Sequence, residues 1–109
     1  MTNTEIEQMI ESFGLEFEYH HFEEEDAIAP PFVVYFFPES DNFNADNIPY
    51  QEITSLRIEL YTNRKDREKE EVIQDVLKQN QLPYTRAETF NVSEKMYMVV
   101  FETEVCVSE

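Results

Sequence analysis

Apolar residues recur along this chain at two spacings, and the switches between them mark out seven elements. Near the N-terminus Ile6, Met9, Ile10 and Phe13 fall at i, i+3, i+4 and i+7, the stripe of an amphipathic helix over residues 4–13. Thr4 and Glu7 have the spacing of a capping box, and Gly14 stands where a left-handed residue would close the helix. Residues 15–22 alternate instead: Leu15, Phe17 and Tyr19 against Glu16, Glu18 and His20, the pattern of a half-buried strand. Phe32 to Phe37 is a dense apolar run bounded by Pro31 and Pro38. It predicts a strand covered on both faces, hence central in its sheet. Residues 50–62 alternate most clearly. Leu56, Ile58 and Leu60 point one way, while Arg57, Glu59 and Tyr61 point the other, toward solvent or another subunit. Asp66 is a fitting N-cap for a helix ending at Gln79, with Val72, Ile73, Val76 and Leu77 as its apolar stripe. Beyond Pro83, residues 84–92 and 95–105 read as two strands joined by a turn at Ser93-Glu94. The middle of the second is apolar on both faces. The order α-β-β-β-α-β-β predicts an α+β fold, one small domain over residues 1–109, with two helices packed on a mostly antiparallel sheet.

The polar stretches complete this layout. Glu23-Glu24-Glu25-Asp26 repels itself and reads as a solvated turn. Residues 39–49 form the longest irregular segment, rich in Asp and Asn, which bond their own backbone in turns. Phe43 and Ile48 are exceptions there, and an apolar residue at a loop tip either folds back on the core or meets a partner.

Composition narrows the classes of function. The chain is 41% hydrophobic and 14% aromatic, too apolar for a disordered segment. No apolar run approaches the roughly 18–20 residues that span a membrane, and the N-terminal stretch has neither the basic nor the apolar region of a secretory signal. With 24 acids against 8 bases the net charge is −16, which argues against binding nucleic acid through its phosphates. Half of the bases, Arg64, Lys65, Arg67 and Lys69, gather at the start of the second helix among acids, where local pairing is expected. A single glycine leaves no phosphate-cradling loop. Adjacent strand residues face opposite ways, so His20 and His21 cannot readily share one metal, and Cys106 lies among acids, where a reactive thiolate is disfavoured. No catalytic, cofactor-binding or metal-ligating residue is assigned, and the chain reads as a protein whose function is a surface, not an enzyme.

One stretch carries a family resemblance. Pro30-Pro31-Phe32, the aromatic strand ending at Pro38, Ser40-Asp41-Asn42-Phe43, Ala45-Asp46-Asn47, Tyr50, and Ile58-Glu59-Leu60-Tyr61-Thr62 before a charged helix form the first part. The closing strand that starts Glu94-Lys95-Met96-Tyr97 forms the second. Across about residues 19–105 this pattern resembles small proteins of the head–tail gene cluster of tailed bacteriophages and prophages of Gram-positive bacteria. The resemblance implies a tail-completion, or tail-terminator, subunit. In that class a ring, usually six subunits, caps the tail tube and joins it to the head connector, beside the major tail protein and head-closure proteins. DNA would pass through without specific binding, repelled by lumen acids, and no membrane or cofactor is implied. The protein would be built in the bacterial cytoplasm and reside in the virion. Asp41, Asn42, Phe43, Asn44, Ala45, Asp46 and the outward Tyr61 are the candidate contacts with neighbours. Two other roles fit: a head-closure or connector adaptor, and an acidic mimic of DNA that inhibits a host nuclease.

Overall fold

The computed structural model describes residues 1–20, 29–38, 52–92 and 95–107. Its elements come in the expected order: α1 (Asn3–Glu11), β1 (Glu16–Tyr19), β2 (Phe32–Phe36), β3 (Glu52–Thr62), α2 (Arg67–Gln79), β4 (Tyr84–Asn91) and β5 (Met96–Val107). The fold is α+β, with one five-stranded sheet in the order β1-β2-β3-β5-β4. Only the edge pair β1–β2 is parallel; β2–β3, β3–β5 and β4–β5 are antiparallel. β5 therefore enters between β3 and β4, and β3 holds the centre that the apolar density of β2 suggested. β2 lies next to the edge, and of its five residues Val33, Val34 and Tyr35 are buried while Phe32 and Phe36 are half-buried.

Both helices pack on one face of the sheet. The core joins Ile6, Met9, Ile10 and Phe13 of α1 and its C-terminal turn to Val33 and Tyr35 of β2, and Leu56, Ile58 and Leu60 of β3. Val99, Phe101 and Val105 of β5 and Ile73 and Leu77 of α2 complete it. Burying each large aliphatic or aromatic side chain contributes about 1.5–3 kcal/mol, so this layer is the main source of stability. Thr103 is also buried on this face and its hydroxyl donates to the Pro83 carbonyl at 2.6 Å.

Local signals fix the helix ends. α1 has a capping box, but Thr2 and Glu5 form it rather than Thr4 and Glu7. The Glu5 amide donates to the Thr2 hydroxyl at 3.1 Å and the Thr2 amide to the Glu5 carboxylate at 2.8 Å. Both pairs have the same sequence spacing; the one two residues earlier fits because Ile6 then falls inside the first turns. Gly14 takes φ +76° just past the helix, the conformation that residue was expected to supply. Asp66 caps α2, its side chain accepting from the Lys69 amide at 3.2 Å. β1 is shorter than the alternation predicts, because His20 turns to φ 72° and ends it. His21 and the Ser93-Glu94 turn lie outside the described residues.

The stripe of α2 departs from the sequence reading. Ile73 and Leu77 are fully buried, whereas Val72 is 41% exposed. Glu70 takes the inward place and is buried. β4 explains the exchange, since Arg86 and Glu88 stand on the face that α2 covers. The Glu70 carboxylate receives the Lys65 ammonium at 2.8 Å and the Arg86 guanidinium Nε at 3.2 Å. Arg86 also reaches Glu88 at 2.9 Å, and Lys65 pairs with Glu88 as well. The helix thus docks on the edge strand through ions and on the central strands through aliphatics.

Candidate interaction surface

No described helix lies over the other face of the sheet. Its occupants follow from the period of two: Phe32, Val34 and Phe36 of β2, then Arg57, Glu59 and Tyr61 of β3, then Met98, Val100 and Glu102 of β5. Register sets them in three rows across the sheet. Phe32, Tyr61 and Met98 form one row, Val34, Glu59 and Val100 the next, and Phe36, Arg57 and Glu102 the third.

The middle row is the surprise, because Val34, Glu59 and Val100 are all below a tenth exposed. The flanking rows close over it. The Tyr61 hydroxyl donates to Glu59 Oε1 at 2.7 Å, and Arg57 Nε donates to Glu59 Oε2 at 2.7 Å. Each carboxylate oxygen thus has a partner, which is what a nearly buried charge requires. Arg57 also gives Nη1 to Glu102 Oε1 at 3.2 Å and lies 5.9 Å from the Phe36 ring centroid, within cation–π range. The Tyr61 ring stacks on Phe32, with centroids 4.9 Å apart and planes 20° from parallel. Side chains two residues apart on β3 have therefore built a self-supporting platform, aromatic at one end and ionic at the other.

Tyr61, the one expected contact residue in the described part, lies at the aromatic end. It lies on the face away from the helices, as the alternation predicts, and is half-buried there, with ring and hydroxyl both engaged within the subunit. Asp41, Asn42, Phe43, Asn44, Ala45 and Asp46 lie outside the described residues. Phe32, Arg57 and Glu59 were not among the expected contact residues. The alternation through residues 56–62 already put Arg57 and Glu59 beside Tyr61, but nothing in one strand reveals that β2 brings Phe32 opposite.

The platform is built of aromatic rings and paired charges. Its ionisable groups are held in pairs with each other. Cys106, farther along β5, is exposed. Among the described residues, no group of three His, Cys, Asp or Glu side chains is placed to hold a metal ion. Among them, too, no helix is long and apolar enough to cross a membrane. The base cluster at the start of α2 is partly consumed locally, Lys65 by Glu70 and Glu88 and Lys69 by Asp66 at 2.8 Å. No protein-family model matches the sequence, and no curated protein matches it.

Proposed function

We propose that this chain is a non-catalytic virion subunit of the tail-completion class, which caps a phage tail tube as a ring and joins it to the head connector. The observation that carries a contact role is the platform of Phe32, Arg57, Glu59 and Tyr61 on the helix-free face. It offers rigid aromatic surface with its charges already paired, so docking a neighbour there leaves few new polar groups unsatisfied. The place within a virion comes from the motif resemblance around residues 30–66 and 93–105. The charge of −16 suits a ring threaded by DNA, because acids along a channel repel phosphates and let the genome slide.

Electron microscopy of lysates from the parent phage with this gene stopped early tests the reading. Filled heads beside unattached tails of irregular or excessive length are expected. Leaking heads beside tails of normal length would move the role to head closure. Normal particles that fail only on a restricting host would replace it with an acidic DNA mimic.

A further inference from the structure

A recess of about 470 Å³ opens between the first turns of α1 and the far ends of β1 and β2. Its sheet side is aromatic. Tyr19 and Tyr35 are register partners of the parallel pair, and Phe37 follows two residues after Tyr35 on the same face. The Tyr19 and Tyr35 rings meet edge to face, with centroids 5.3 Å apart and planes at 80°, and Tyr19 lies 6.1 Å from Phe37. Tyr35 is anchored in the core, while Tyr19 is 47% exposed. On the helix side the recess is closed by residues that include Glu7.

Acidic charge bears on the recess. The Tyr35 phenol is held protonated above its ordinary range, first by burial and then by the charges of Glu7, Tyr19 and Glu18. The N-terminus of α1 opposes this with about half a positive charge. The capping-box carboxylate of Glu5 sits on that terminus, and its hydrogen bonds from the Thr2 backbone and side chain hold it ionised below the usual carboxylate range. The charge left in the lining itself is that of Glu7. An anion is repelled from such a site. Among the described residues, no group of three His, Cys, Asp or Glu side chains stands there to hold a metal ion. A cation that carries its charge on an apolar frame gains from both walls.

We propose that this recess binds an organic cation, an alkylammonium or guanidinium group set against Tyr19, Tyr35 and Phe37 with Glu7 as its counter-charge. The inference stands apart from the virion role and holds or fails without it.

The test is NMR of the aromatic ring protons during titration with tetramethylammonium chloride, and separately with a blocked lysine, each against sodium chloride at equal ionic strength. Saturable shifts confined to Tyr19, Tyr35 and Phe37 are expected, with dissociation constants on the order of millimolar. Tyr19→Ala should weaken binding about fivefold and Glu7→Gln about twofold to threefold, while Tyr19→Phe, which keeps the ring, should bind as the parent does. Glu7 is on the exposed side of α1, so its variant keeps the test sharp if Tyr19→Ala disturbs the edge strand. Saturation by the blocked lysine alone assigns the site to a side chain of a protein partner; saturation by tetramethylammonium alone assigns it to a free quaternary amine. Shifts that match the sodium chloride control, or affinity unchanged in both Tyr19→Ala and Glu7→Gln, would overturn the proposal.

Discussion

Along β3, neighbours in sequence live in two unlike environments. Leu56, Ile58 and Leu60 are all but inaccessible beneath the helices. Arg57, Glu59 and Tyr61, one residue away each time, have no described helix above them and are held by one another and by β2. The first face gets its order from a second layer, the second from side chains that bridge along and across strands. A covered face contributes stability through area. An uncovered one contributes shape, since its paired groups gain little net energy but hold a fixed arrangement.

Substitution should expose that difference in rank order. Phe101→Ala, on the covered face at full burial, should cost about 3–5 kcal/mol by leaving a cavity the helices cannot close. Urea unfolding would read it as a lower midpoint with the slope kept. Glu70→Gln comes next. Glu70 is nearly inaccessible, but its partners Lys65 and Arg86 are each 33% exposed, so solvent screens part of the effect. We expect about 1–2 kcal/mol, less in high salt, where a pure packing defect would not change with salt. Glu59→Gln on the uncovered face should cost about 0.5–1.5 kcal/mol. A double-mutant cycle with Tyr61→Phe should show coupling between the two, and simple additivity would mean the platform is not a unit.

The smallest effect near neutrality becomes visible only in alkali. The Lys65 ammonium is held protonated above its ordinary value, chiefly by its hydrogen bond to Glu70 and then by that to Glu88. The Tyr35 phenol is raised as well, by burial first. Both groups bind their proton more tightly in the folded chain. Their contribution is therefore complete below a pH of about 10 and is lost as pH climbs through the folded values. Stability followed from pH 8 to 11 should stay level and then fall, and Tyr35→Phe should flatten part of the fall. An unchanged alkaline limb in both Tyr35→Phe and Lys65→Met would separate it from these groups.

The covered face was largely legible in the sequence because burial writes a period. The stripe of α1, the alternation of residues 56–62 and the Asp66 cap each rest on one local rule, and each is found in the fold. What the sequence hid depends on neighbours that are distant along the chain. Glu70 in the α2 stripe looks solvated until β4 sets Arg86 beneath it. The density of Phe32 to Phe37 suggested a central strand. In the sheet it serves two separate clusters, Tyr35 with Phe37 against Tyr19, and Phe32 against Tyr61. The platform was legible at Arg57, Glu59 and Tyr61 as one face of β3, but not as a unit with Phe32, since it is assembled from two strands whose register no single segment specifies.

The place of β5 in the sheet also shapes how the chain reaches this state. β4 and β5 are neighbours in sequence, whereas the ladder between β3 and β5 spans α2 and β4 and closes a longer loop, so it is expected to be the slower pairing. Until that docking, two apolar edges stand open, one on β3 and one on β5. Each is then an open template for the matching strand of a second molecule. Slow docking would therefore favour strand exchange between nascent chains, and at high concentration the yield of folded protein should depend on how fast that one seam closes.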